Sequence, residues 1–271
     1  MMRCSHDPRP VLAILALAIL AALPAAGQQA DAVLRGFQPT GDYLLELAGE
    51  RVPAAEIYRS DRVPAFLVVA PGVSPFLLLP REGSVATVSI MKLARRGDGS
   101  LDVLADAQLV PAGRFALDEE AVVFSVEGRS ARLEPRPFLL GSQNLSAMLD
   151  YSPEYRRKAG TYRPDAKAMA SLTGQTAPVR VLVYFGSWCS FCTQYVPLLL
   201  KVADELEGSR VAFEFYGLPQ TGLREEPRAR RDDVHGVPTG IVYVGGKEVG
   251  RIQGTDWQRP EQALQRLVTA S

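Results

Sequence analysis

Apolar positions fall in short runs over the first half of the chain and in longer, two-faced blocks over the second. The short runs occupy 43–47, 65–69, 76–79, 101–104, 122–126 and 131–133, and residues 85–93 alternate in part. Glycine, proline or aspartate bounds most of them: Gly41-Asp42 and Gly49 flank the first, Pro71-Gly72 closes the second and Pro80 the third. Short strands with turn residues roughly every 8–12 positions predict a sandwich or small barrel over 31–140. Glu127-Gly128-Arg129-Ser130 predicts a hairpin turn inside it. This half has no histidine, cysteine or glycine-rich phosphate loop, and acids such as Asp118-Glu119-Glu120 read as turn and surface residues.

The pattern changes after 140. Ser152-Pro153-Glu154 reads as a helix opening, with serine as cap and proline in the first turn. Residues 164–172 predict a short helix stopped by Gly174. We expect a helical bridge over 141–178, with Tyr151, Tyr155 and Tyr162 packed on a domain seam. From 179 to 271 the order predicted is βαβαββα. The apolar run 181–185 suits a strand buried on both faces. Over 193–206, Tyr195, Leu199, Val202 and Leu206 share one helical stripe, and Pro197 predicts a kink. A strand over 211–216 follows, then a charged stretch, 223–233, with a short helix. Residues 239–244 and 248–252 predict strands paired across Gly245-Gly246-Lys247, and a last helix over 260–268 turns Leu264, Leu267 and Val268 inward.

Before either half, Arg3 and Arg9 precede an apolar run over 11–23 and the small-residue exit Pro24-Ala25-Ala26-Gly27. A basic region, an apolar region and small residues form the pattern of a secretory signal peptide, expected over 1–26. The apolar run is shorter than the roughly 20 residues needed to span a bilayer. Cys4 would leave with it, and of the 3 cysteines Cys189 and Cys192 would remain. The mature protein is then expected in the periplasm or otherwise secreted, where disulfides form. Lysine plus arginine equals aspartate plus glutamate at 30 each, so no bulk charge draws the chain to nucleic acid. Arginines 228, 230 and 231 alternate with acids and read as a solvated face.

The chemistry concentrates in Trp188-Cys189-Ser190-Phe191-Cys192, placed directly between a buried strand and a helix. A thiol at a helix N-terminus meets unpaired backbone N–H groups and the positive end of the helix dipole, which stabilise thiolate. Cys189 is the expected nucleophile, and Cys192, one turn later, the resolving thiol. A non-enzymatic envelope protein with a static Cys189–Cys192 disulfide remains the alternative. His235, close to Pro238, is expected on a surface loop. With the two thiols it makes three ligands, whereas structural zinc takes four. No cofactor and no metal is expected.

Residues 179–270 resemble a thioredoxin-fold domain. Three features carry the resemblance: the Trp-Cys-Ser-Phe-Cys motif at a strand-to-helix junction, Pro197 inside the following helix, and Val237-Pro238-Thr239 before the hairpin and final helix. The fold class expected is a thioredoxin-like α/β domain, a mixed sheet flanked by helices, behind a mostly β domain. Where the family has its cis-proline loop stands Pro238, which the resemblance sets opposite the cysteines, with the backbone of Val237 pairing with an extended substrate. Trp188 is expected as a hydrophobic lip beside Cys189, and Phe191 as apolar substrate surface or a shield for Cys192. The sequence departs from cytosolic thioredoxin between the cysteines and at Val183, where thioredoxin has a buried aspartate that moves a proton to or from the resolving cysteine. The resemblance implies a protein thiol–disulfide oxidoreductase, with reductase or isomerase direction slightly favoured. Its partners would be protein cysteines and a membrane or periplasmic redox protein, with a possible homodimer through the β-rich half.

Overall fold

The computed structural model describes residues 35–60, 62 and 64–270. The expected signal peptide lies outside the described residues. In the first half, strands β1 (Phe37–Pro39), β2 (Tyr43–Leu47), β3 (Glu50–Arg51), β4 (Glu56–Ser60), β5 (Phe66–Val69), β6 (Phe76–Leu79), β7 (Ser84–Thr87), β8 (Leu93–Arg95), β9 (Leu101–Val103), β10 (Val110–Arg114), β11 (Ala116–Asp118), β12 (Ala121–Val126) and β13 (Arg129–Pro135) form two sheets. The larger runs β10-β7-β6-β5-β4-β1-β9-β8 and the smaller β11-β12-β13-β2-β3.

Strand periodicity explains how these sheets make a curled, half-barrel-like domain. Successive side chains point to opposite faces. Val68, Phe76 and Leu78 therefore join Leu45, Phe124 and Leu133 of the smaller sheet in one core. Leu67 and Leu77, on the reverse face of the same two strands, join Phe37, Tyr58, Leu101 and Val103 in a second core enclosed by the curl of the larger sheet. The alternation over 85–93 is cut short after Thr87. Ser89 caps a 3-10 turn over Ile90–Lys92, its side chain accepting from Met91 N, a local bond that competes with the strand ladder. The hairpin at 127–130 forms, with Glu127 and Gly128 at positive φ.

In the second half, β14 (Gly141–Gln143), α1 (Leu145–Asp150), α2 (Pro153–Thr161) and α3 (Ala166–Thr173) precede β15 (Val179–Phe185), α4 (Ser190–Glu205) and β16 (Val211–Gly217). Then come α5 (Pro227–Arg231), β17 (Thr239–Val244), β18 (Lys247–Ile252), a 3-10 turn over Gly254–Gln258 and α6 (Pro260–Thr269). The sheet order is β14-β16-β15-β17-β18. β15 lies parallel to β16 and antiparallel to β17, and helices cover the sheet. This is a mixed α/β unit of thioredoxin type. Among the described residues no helix is long and apolar enough to cross a membrane.

The stretch read as a bridge belongs largely to this unit. β14 extends its sheet along β16, α2 packs on α4, and α3 packs on α6. Of the three tyrosines, only Tyr151 stands at the seam, under the Arg136 guanidinium at 5.4 Å from its ring centre. Tyr155 is buried in the core of the α/β unit. Arg136 also ties the halves through Nε donating to the Gly41 carbonyl at 2.6 Å. Leu139 N donates to Ser187 Oγ at 2.9 Å, which fixes the crossing chain against the loop before Trp188. Gly217 permits that crossing, because a Cβ there would stand 2.1 Å from the Leu139 carbonyl oxygen.

Candidate functional site

β15 delivers the chain to the site through a wholly buried stretch, Val181 to Phe185. The next residues turn it into α4, and Cys189 is the N-cap of that helix. Its thiol stands where serine or aspartate usually stands and accepts from Cys192 N at 3.4 Å. The apolar stripe begins at 193, so the pattern reads the helix as starting there, whereas the cap sets its true start at Ser190. Cys189 and Cys192 are therefore three apart on one turn and share a face.

Burial separates the two thiols. Cys189 is half-buried, while Cys192 is 0% exposed beneath it, in a core shared with Val183, Phe185 and Val196. The Cys192 side-chain hydrogen bond brings the Cys189 thiol down to about 6; desolvation opposes this, and the N–H groups of Cys192 and Phe191 add to it. Burial, then the hydrogen bond to Cys189, pushes the Cys192 thiol far up, against a contact from Gly186 N at 3.5 Å. Cys189 is thus the thiolate of the pair at neutral pH, and Cys192 holds its proton.

The opposing wall is the loop before β17. The Val237–Pro238 peptide bond is cis, and the Val237 carbonyl oxygen lies 3.9 Å from Cys189 Sγ. Two bonds hold this loop: Trp257 Nε1 donates to the Pro238 carbonyl at 3.2 Å, and Thr239 Oγ1 donates to Gly236 O at 2.8 Å. The sequence reading does not single out Trp257. The stretch 253–258 lacks an apolar stripe, and the one available signal is that the chain has 2 tryptophans, of which this one is fully buried.

Trp188 lies half-buried beside Cys189, with Nε1 donating to Leu218 O at 2.8 Å. Its ring lies so close over Gly186 that a Cβ there would stand 2.5 Å from it. Phe191 projects outward, 37% exposed, with its ring centre 4.4 Å from that of Tyr195. The structure therefore brings Trp188, Cys189, Cys192, Val237 and Pro238 together, with Phe191 on the outer rim. His235 is exposed, its Nε2 3.0 Å from Asp233 Oδ1. Among the described residues no group of three or more histidine, cysteine, aspartate or glutamate side chains is placed to hold a metal ion. An accessible thiolate above a buried thiol suits thiol–disulfide exchange.

No protein-family model matches the chain. Thioredoxin-2 of Saccharomyces cerevisiae is 31% identical over 84 residues, which are 31% of this chain and 75% of that protein. The chain belongs to the thioredoxin family. Putative thioredoxin-5 of Dictyostelium discoideum is 27% identical over 94 residues, covering 35% of this chain and 86% of that thioredoxin. Among solved structures, thioredoxin of Fasciola hepatica is 24% identical, with 37% of this chain and 88% of that chain covered at a TM-score of 0.27. The thioredoxin likeness is confined to the C-terminal region, and the N-terminal half is unmatched.

Proposed function

We propose that the chain is an exported thiol–disulfide oxidoreductase acting on protein cysteines, with reduction or isomerisation of substrate disulfides as the favoured direction. The asymmetry of the thiol pair carries this reading: Cys189 is accessible and titrates at about 6, and Cys192 is buried and protonated. Thioredoxin-family membership supports redox activity in general.

Cys189 thiolate attacks a substrate disulfide. A Cys189–substrate disulfide forms and the first substrate sulfur leaves. Cys192 then attacks Cys189 Sγ, closes the Cys189–Cys192 disulfide and frees the second substrate thiol. Two electrons pass from the pair to the substrate without a cofactor. Trp188 and Phe191 frame the sulfur, and the backbone at Val237, beside Pro238, receives an extended substrate segment. The compact thiol domain, fused to a β-rich module, favours reduction or isomerisation by fold-level analogy. Export to the periplasm rests on the pattern over 1–26, and a reductase there draws electrons from a membrane or periplasmic donor. The β-rich half positions a partner or builds a homodimer.

The deciding experiment equilibrates the mature protein in graded glutathione and dithiothreitol buffers and traps the thiols at each point. A potential near about −270 mV supports the reductase, and one near about −120 mV reverses the direction. A pair that stays oxidised well below about −300 mV is a structural disulfide and ends the proposal.

A further inference from the structure

The charged stretch that reads as a solvated face ends beneath the site. Asp232 caps the end of α5 and is partly buried. Its carboxylate takes two donors. Tyr184 Oη donates to Oδ2 at 2.5 Å, with Arg228 O a second acceptor at 3.3 Å, and Arg231 Nε donates to Oδ1 at 3.0 Å. The Asp232 carbonyl accepts from Arg251 Nη2 at 3.0 Å, and the Asp233 carbonyl from Arg251 Nη1 at 2.9 Å. Glu248 steadies the same guanidinium by accepting from Nε at 2.8 Å. Arg251 thus satisfies carbonyls at a helix end that the helix itself leaves open.

Place in the chain gives these bonds their meaning. Tyr184 lies on β15 five residues before Cys189, and Asp232 stands five residues before Val237. Tyr184 is fully buried in a small core with Leu218 and Val234, and Val237 packs against that core. Leu218 is also the residue whose carbonyl holds Trp188. The lip beside Cys189 and the wall opposite it therefore stand on one base. The far end of the wall is held by Trp257, by the Thr239 hydroxyl and by the pairing of Thr239 with Tyr184 in the β15–β17 ladder. At the near end Asp233, at positive φ, turns the chain toward Val237, and Val234 N donates to Ala229 O at 2.8 Å. Asp232 ties that end to two strands at once: to β15, which delivers Cys189, and to β18 through Arg251.

We propose that Asp232 is a positioning residue that, braced by Tyr184 and Arg251, sets the Val237 backbone against Cys189 so that an extended polypeptide can pair there while its disulfide meets the thiolate. The Val237 carbonyl lies 3.9 Å from Cys189 Sγ, and sites of this kind work when both sides are held to within about 0.5 Å. The brace rests on the oxidoreductase reading and adds to it the device that favours protein disulfides over small ones.

The test compares single-turnover oxidation of the dithiol protein by insulin and by oxidised glutathione, with the remaining thiols trapped after an acid quench. Insulin brings polypeptide on both sides of its disulfides, and glutathione almost none. In Tyr184→Phe the half-saturating insulin concentration rises on the order of tenfold at an unchanged limiting rate, so the insulin-to-glutathione rate ratio at low concentration falls by the same factor. Asp232→Ala gives a change of the same kind. Asp232→Asn, which keeps a side-chain oxygen to accept from Tyr184, restores most of the ratio. The double variant Tyr184→Phe with Asp232→Ala is no worse than Tyr184→Phe, because both break one contact. A lowered urea midpoint with a wild-type ratio overturns the brace, since the bonds would then serve stability alone. An equal loss with both disulfides overturns it too, because the thiolate and not the wall would have changed. If the wild-type protein reacts with neither disulfide, the oxidoreductase reading fails and the brace with it.

Discussion

Although surface ion pairs occur on both halves of the molecule, the surface of the β-rich half and the surroundings of the thiols use polar side chains differently. In the β-rich half they meet one another at the surface: Arg51 with Glu134, Lys92 with Asp106, Arg95 with Glu56 and Arg132 with Asp118. Pairs of this kind contribute about 0–1 kcal/mol each and fix little. In the α/β half, side chains around the thiols instead hold backbone at the ends of elements. Trp188 holds Leu218 O, Trp257 holds Pro238 O, and Ser187 holds Leu139 N. Reactive geometry needs groups whose positions are set by rigid neighbours. The candidate site is built in the second half, although both halves bury large apolar cores.

The largest expected effect isolates the site. Cys189→Ser reduces disulfide exchange to the uncatalysed background, measured by insulin reduction with dithiothreitol. Cys192→Ser keeps the attack and accumulates the mixed disulfide, detected by mass. Activity surviving in Cys189→Ser would move the chemistry elsewhere in the chain. A second variant addresses the other half. Leu133 is fully buried between the two β-sheets, so Leu133→Ala costs about 2–5 kcal/mol in urea unfolding. The Cys189 alkylation rate of the folded protein stays at the wild-type value. A changed rate breaks the comparison, because the β core would then help set the geometry at the thiols.

How much of this was legible follows the same division. The motif from Trp188 to Cys192 stands out because two thiols at a strand-to-helix junction have a local chemical meaning. The hairpins at 127–130 and 245–247 are legible because glycine in a tight turn is a local signal too. The strands that escape the pattern owe their form to distant partners. Phe37–Pro39 pairs with Glu56–Ser60. Val110–Arg114 is an edge strand with a register shift between Pro111 and Gly113, and has no apolar alternation to display. Gly141–Gln143 becomes a strand only because β16 lies beside it. Trp257 is invisible for a related reason: its importance lies in the Pro238 carbonyl that it faces across the fold.

The smallest effect is the pH dependence of stability in the dithiol form. Cys189 titrates at about 6 when folded, against about 8.5 for a free cysteine. Its folded value is depressed, so the stabilisation is present above the unfolded value and lost as pH falls through about 6. Below pH 6 both states carry the thiol and Cys189 contributes nothing. Between about 6 and 8.5 the unfolded chain binds more protons, so stability rises with pH. Cys189 is half-exposed, and after discounting for solvent screening the rise is on the order of 1 kcal/mol. Cys192 acts in the opposite direction and later. Burial keeps it protonated in the fold, while the unfolded thiol ionises above about 8.5, so stability declines from there. Urea unfolding of the dithiol protein from pH 5 to 10 should therefore rise, turn near 8.5 and fall. In Cys189→Ser the rise disappears and the fall remains, while the disulfide form loses the rise and the fall from 8.5, keeping only the decline close to pH 10 from Tyr58, Tyr155, Tyr162 and Tyr184, which the fold holds protonated. A dithiol curve that is flat between 6 and 8.5 would mean that the fold does not favour the Cys189 thiolate, and the asymmetry of the pair would no longer distinguish this half from the other.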